Sequence, residues 1–406
     1  MSVFLQFSII LIIILLVAKL AGYFSSKIGQ PSVLGELLAG LLLGPSLLNI
    51  FHLPFITESH TVYELIKEIA ELGVLLLMFL AGLELHLKDL ANNTKVSAYA
   101  GILGVLVPFG LGWLVGYMQG MDINHSIFLG LTLGATSVSI SAQTLMELKV
   151  LRSRVGLGLL GAAVFDDILV ILLLSTFLAI ATGGGSILAV LLVIGKMFVF
   201  MGVFALIGIY VLPALIRWTI RKPISQGLIT LTIVVLLMYG VAAELIGGMA
   251  AITGTFLAGL MFSRTPEKKL IERGIQTIAY SFFVPLFFVS IGLSIDVSTL
   301  GGQAIIFILI ISSVAILSKL LGAGLGAKLA NFSWRESLQI GIGMISRGEV
   351  GLIVAKIGVD NGFITSEVFS GVVGMVLITT LVTPPLLRSA FPSAGAKESQ
   401  PAKPTA

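Results

Sequence analysis

Asp166 and Asp167 stand side by side in Gly161-Ala-Ala-Val-Phe-Asp-Asp-Ile168, about ten residues from either end of an apolar segment near 156–182. A carboxylate at the centre of a lipid-spanning helix costs roughly 2.5–3.5 kcal/mol to insert, so two adjacent ones call for water, a partner or a bound cation. Neighbours on a helix point about 100° apart, which lets one acid meet a facing helix while the other faces a cavity. Lys319, in Ile316-Leu-Ser-Lys-Leu-Leu-Gly322, lies about two-thirds through another apolar segment and too deep for ordinary snorkelling. A buried Lys–Asp pair can shed a proton when a cation competes for the carboxylate. The expected site therefore binds a cation through Asp167 and Asp166, with oxygens near Thr136 and Ser137 completing the shell of a hard ion. Proton coupling falls to Asp166, Asp167 and Lys319. Arg347 and Glu349 form a further intramembrane pair, expected to neutralise each other and hold an unwound segment in place. Glu36, Glu71 and Glu84 sit at segment ends, where mouth or capping roles are expected.

These residues need a scaffold that keeps charge out of lipid. The chain has 406 residues, of which 57% are hydrophobic and 11% charged. An ordinary soluble domain is roughly 25% charged, so lipid is the solvent that makes this composition sensible. There is no cysteine, which removes disulfides and thiolate chemistry. His52, His60, His86 and His125 lie in or beside polar connections and imply no metal site, and no cofactor is expected. A net charge of +4 does not indicate nucleic acid. The apolar stretch from Val3 to Val17 has no basic residue before it and Lys19 and Lys27 after it, so it reads as a retained helix rather than a signal peptide.

Thirteen apolar segments of about spanning length follow one another, near 3–24, 31–50, 69–86, 96–118, 126–147, 156–182, 186–213, 224–243, 247–263, 275–294, 302–327, 336–358 and 366–389. Alternate connections, beginning after the first segment, hold nearly all the basic residues: Lys27, Lys88, Lys95, Lys149, Arg152, Arg154, Arg217, Arg221, Lys222, Arg264, Lys268, Lys269, Arg273, Lys328 and Arg335. The opposite set holds essentially only Lys67. The positive-inside rule then places the N-terminus outside and the C-terminus in the cytoplasm. An odd count suggests two six-helix halves of opposite orientation, joined by a linker helix near 186–213 and followed by a short disordered tail at 391–406. Gly134-Ala-Thr-Ser-Val-Ser-Ile-Ser141 and Gly341-Ile-Gly-Met-Ile-Ser-Arg-Gly-Glu-Val-Gly351 interrupt the fifth helix of each half. Matched polar breaks point to a midplane binding site. Gly322-x-Gly-x-Gly326 has no βαβ context and reads as a helix contact surface.

At these residues the chain resembles the monovalent cation:proton antiporter-2 family (CPA2), particularly its short sodium/proton members of the NapA type. The matching stretches are Gly35-Glu-Leu-Leu-Ala-Gly-Leu-Leu-Leu-Gly-Pro45, Glu71-Leu-Gly-Val-Leu-Leu-Leu-Met-Phe-Leu-Ala-Gly-Leu-Glu84, Ala135-Thr-Ser, Phe165-Asp-Asp167, Phe288-Val-Ser-Ile-Gly-Leu293, Ser318-Lys-Leu-Leu-Gly322 and Ser346-Arg-Gly-Glu-Val-Gly351. The resemblance implies an all-α fold of thirteen transmembrane helices with two inverted repeats, a dimerisation domain and a mobile core where two broken helices cross beside Asp166 and Asp167. It implies a homodimer in a cell membrane that exchanges protons for sodium or lithium, electrogenically and by an elevator-like motion. It further implies that Asp167 is the main cation ligand and that Asp166 pairs with Lys319. Relatives with Kef-type architecture carry a cytosolic nucleotide-binding domain, whereas here only a short Pro/Ala/Lys tail follows Arg388.

Three other functions compete. A potassium/proton antiporter on the same fold fits the same residues. A passive cation channel would need a continuous pore rather than matched breaks with a Lys–Asp pair. An intramembrane aspartyl protease would need two carboxylates converging on one water, and adjacent residues on a regular helix diverge. The sequence thus predicts a transporter and not an enzyme.

Overall fold

The computed structural model describes residues 1–28, 30–84, 93–181, 187–293 and 302–391. Lys88, His86, the turn glycines Gly183–Gly185 and residues 392–406 of the expected tail lie outside the described residues. Within them the chain is helical throughout, with no strand. In order come α1 (Val3–Lys27), α2 (Ser32–Leu43), α3 (Ser59–Glu84), α4 (Thr94–Met118), α5 (Ile123–Gly134), α6 (Val138–Glu147), α7 (Arg154–Ala181), α8 (Ile187–Tyr210) and α9 (Leu212–Ile220). There follow α10 (Gly227–Ala242), α11 (Ala251–Phe262), α12 (Lys268–Ile278), α13 (Val284–Leu293), α14 (Gly302–Leu329), α15 (Trp334–Gly343), α16 (Glu349–Asp360) and α17 (Ser366–Ala390). Taking α5–α6, α8–α9, α12–α13 and α15–α16 as one segment each, the described residues form thirteen helical segments in the predicted places.

Nine of these are long and apolar enough to cross a membrane by length and composition. Several elements depart from their expected bounds for visible reasons. The second segment was expected over 31–50 but its helix stops at Leu43, because Gly44 and Pro45 turn the chain away. The third was expected from residue 69, yet α3 begins at Ser59. Its first turns carry Glu64, Lys67 and Glu68 while Val62, Ile66 and Ala70 are buried on one face, the period of an amphipathic helix rather than a loop. α12 likewise starts seven residues before the expected segment, burying Ile271 and Ile275 and leaving Lys268, Lys269 and Arg273 on the other side.

Packing sorts the helices into two bundles. In one, α4 runs against α14, and each packs against the two segments that follow it: α4 against α5 and α7, α14 against α15 and α17. In the other, α1 lies on α2 and α10 on α11, while α2 packs against α13 and α11 against α3. Each pairing in the first half of the chain has a counterpart seven segments later. The bundles meet where α2 and α3 face α6 and α17. At one edge of that boundary Glu147 of α6 accepts from the Ser32 amide and hydroxyl at the start of α2, each at 2.6 Å.

The α4–α14 seam explains the glycine run in α14. A Cβ on Gly322 would lie 2.3 Å from the Leu103 carbonyl oxygen, and one on Gly326 would lie 2.3 Å from that of Tyr99. Small residues let the two backbones approach this closely, as expected where helices associate in lipid. Because the obstructing atoms are main chain, neither position can relax by a rotamer change. Gly326→Val is therefore expected to destabilise the protein by roughly 1–3 kcal/mol, the usual cost of overpacking. A lowered melting temperature in detergent would show this, and an unchanged one would mean the seam tolerates separation.

Candidate functional site

The site forms where two helices stop halfway. α5 ends at Gly134, Ala135 to Ser137 run extended, and α6 resumes at Val138. α15 ends at Gly343, and α16 resumes at Glu349. The two breaks are stitched together: the Ser137 amide donates to the Ser346 carbonyl at 2.9 Å, and the Ser346 hydroxyl donates back to the Ser137 carbonyl. The Ser141 hydroxyl donates to the Gly343 carbonyl. Backbone groups left over by the breaks thereby find partners inside protein, which non-helical chain at membrane depth requires.

A half-helix that ends in the interior leaves carbonyls without amides and a partial negative charge at its C-terminus. Each end is met by a buried cation. Lys319 Nζ donates to the Gly134 carbonyl at 3.0 Å, closing α5. Arg347 Nη1 donates to the Met344 and Ile345 carbonyls at 3.1 Å, closing α15, and its Nη2 reaches the Ala315 carbonyl of α14. The Thr380 hydroxyl of α17 donates to the Arg347 carbonyl at 2.6 Å. The expected Arg347–Glu349 pairing cannot be described, since the Glu349 side chain lies outside the described residues. The terminal nitrogens of Arg347 go to main-chain carbonyls, and its buried Nε makes no hydrogen bond among the described residues.

Lys319 also makes an ion pair with Asp166 Oδ1 at 2.7 Å, and both side chains are fully enclosed. Thr136, in the first break, lies against Asp166. Thr136 Oγ1 and Asp166 Oδ2 are both buried, and the contact between the two side chains falls short of full hydrogen-bond geometry. Buried oxygens whose hydrogen bonding is incomplete can take a further partner, and oxygens of this kind suit a hard cation or a proton. Ser137 is held at the break, its hydroxyl 3.0 Å from that of Ser139.

Asp167 turns away from Lys319's side of α7 and meets the other bundle. Its Oδ2 accepts from the Thr253 hydroxyl of α11 at 2.9 Å. Asp167 lines a small pocket with Val138, Val164, Thr253 and Phe256. Beyond Val164, Thr253 and Phe256 lies a cavity of about 280 Å³, running toward Thr94, Ser97 and Leu260. The structure thus brings Asp166, Lys319 and Thr136 together and sets Asp167 beside them on the cavity side. Thr253 escaped sequence reasoning. Its only signal was a polar Thr-Gly-Thr just after the Gly247–Gly248 turn.

Removing one member of a buried ion pair strands the other, which costs roughly 3–5 kcal/mol. Lys319→Gln and Asp166→Asn should each lower the melting temperature in detergent, and the double variant should lose less than the two combined. Strict additivity would show that the two side chains do not depend on each other.

The profile of the family described as sodium/hydrogen exchanger, transmembrane, matches residues 12–389. The Na(+)/H(+)-K(+) antiporter GerN of Bacillus cereus is 41% identical over 386 residues, which is 95% of this chain and 96% of that protein. The Na(+)/H(+) antiporter of Enterococcus hirae is 39% identical, covering 94% and 97% respectively. Among solved structures, the sodium proton antiporter MjNhaP1 of Methanocaldococcus jannaschii superposes with a TM-score of 0.69 over 96% of this chain and 97% of its own, at 17% identity, a likeness of fold. A helical scaffold of this shape, a family match over almost the whole chain and relatives that are transporters rather than enzymes lead to one assignment. The chain belongs to the sodium/hydrogen exchanger family of multi-pass membrane proteins.

Proposed function

We propose that this protein is a secondary active antiporter that exchanges protons for sodium or another small monovalent cation across a cell membrane. The observation that carries the reading is the enclosed Lys319–Asp166 pair at 2.7 Å beside the Thr136 side chain, at the meeting of two broken helices. The names of the relatives, which describe Na(+)/H(+) exchange, support the same reading. Asp167 is the main cation ligand, reached from the 280 Å³ cavity, with Asp166 and oxygens of Thr136 and Ser137 assisting. Cation arrival draws Asp166 away from Lys319, and protons held by the acids and the lysine leave. Cation and proton then occupy the site in turn, never together, and that alternation is what couples their movements.

The resemblance to NapA-type CPA2 antiporters supplies the finer assignment: a homodimer, electrogenic exchange, and elevator-like alternating access. The bundle of α4–α7 and α14–α17 is the mobile core, carrying both breaks and both aspartates. The bundle of α1–α3 and α8–α13 is the scaffold and dimer domain, with segments 1–6 and 8–13 as inverted repeats. The matching pairings seven segments apart support that division. The basic residues of alternate connections favour an outer N-terminus and a cytoplasmic C-terminus. The protease reading loses its chemistry here, since Asp166 faces Lys319 and Asp167 faces Thr253.

Potassium stays as a second substrate reading because GerN's name includes it. Purified protein in sealed liposomes with an imposed pH gradient and an internal pH dye separates the cases. Sodium or lithium should collapse the gradient, and Asp167→Asn should abolish the collapse while leaving a folded protein. An equal response to potassium would widen the substrate, and no response to any of the three cations would overturn the antiporter reading.

A further inference from the structure

Thr253 sits in the first turn of α11, a helix of the scaffold bundle, yet its hydroxyl is given to a carboxylate of the other bundle. Most of the described threonines do otherwise, Thr380 with its bond to the Arg347 carbonyl being another exception. Thr255, two residues on, donates to its own helix at Ile252, and Thr232, Thr144 and Thr379 likewise return their hydroxyls to the preceding turn. Returning the proton to the local backbone is the default for a hydroxyl in an apolar helix, and Thr253 forgoes it. The residue is also placed at a doorway. Together with Val164 and Phe256 it lines both the 280 Å³ cavity and the small pocket that reaches Asp167. Both partners are nearly shut off from solvent, Thr253 at 4% and Asp167 at 8% exposed.

We propose that Thr253 is a positioning residue for exchange: its hydroxyl reaches across the bundle boundary and fixes the Asp167 carboxylate at the mouth of the cavity, setting cation affinity in this access state. The proposal rests on the reading of Asp167 as the cation ligand. A carboxylate on a helix rotates through several rotamers, and only some present an oxygen to an ion arriving from the cavity. A donated hydrogen bond at 2.9 Å selects one of them and holds the carboxylate there. Because α11 and α7 belong to different bundles, the bond exists only while the two keep their present relation. Movement of one bundle past the other breaks it, so the affinity it lends applies to one side of the membrane.

Liposomes holding the protein in known orientation test this through the apparent KM for sodium, read separately from each face. Thr253→Val keeps the shape and removes the donor. A hydrogen bond to a charged group is worth enough that KM at the cavity face should rise about tenfold or more, with the maximal rate changed less than about threefold. At the opposite face KM should stay within about twofold. Thr253→Ser should restore the cavity-face value, and Thr255→Val, whose hydroxyl serves only its own helix, should behave as wild type. An unchanged KM in Thr253→Val, an equal rise at both faces, or failure of serine to rescue would each overturn the proposal. These results differ from failure of the antiporter reading itself, in which wild-type protein would show no cation-dependent exchange and no KM to compare.

Discussion

A lysine and an aspartate that bury each other's charge hold this structure's working centre together. Lys319 and Asp166 lie 2.7 Å apart with no access to water, so neither can lose the other without a heavy electrostatic penalty. The lysine does a second task at the same time, closing the last carbonyl of α5. The first break therefore depends on the same ammonium that balances Asp166. A change of occupancy at the carboxylate reaches the broken helix through a single nitrogen, with no chain of intermediates required. Binding and local geometry are coupled because they share an atom.

The second break is built by the same logic with a different residue. Arg347 closes the end of α15 with two hydrogen bonds and adds one to α14, so each interior helix end has its own cation. Arginine's fixed fork suits three carbonyls spread over two helices, whereas lysine's compact ammonium suits one carbonyl and one carboxylate. Among the described residues the lysine makes the ion pair with Asp166, while Arg347 feels the same carboxylate from farther away. Around both, glycines at the α4–α14 seam bring backbones close enough that the charged centre stays sealed from lipid.

Much of this could be read from residues alone, for physical reasons. Charges are rare in apolar helices, so Asp166, Asp167 and Lys319 announced themselves, and the glycine and hydroxyl interruptions marked both breaks. Helix order followed from hydrophobic runs and the alternation of basic connections. What escaped depends on where distant segments meet. Thr253 looks like any threonine in an apolar helix until the fold sets it against Asp167, 86 residues away in sequence. Glu147 carries no signal of its own in the sequence, yet it meets the start of α2 across 115 residues. The carbonyls that Arg347 reaches could not be named from sequence either, because they are acceptors only where a helix stops. The polar first turns of α3 and α12 were missed because lipid-length windows discount charged residues even when their period is helical.

The central claim is that one enclosed site holds either a cation or protons. It can be tested most directly by following proton release when sodium is added to purified, weakly buffered protein in detergent, using a pH indicator across a range of starting pH. The account predicts release that saturates with sodium, that shrinks at high pH where the acids are already bare, and that is absent in Asp167→Asn. Sodium binding without proton release at any pH would mean that cation and proton use separate places, and the account built on the Lys319–Asp166 pair would be wrong.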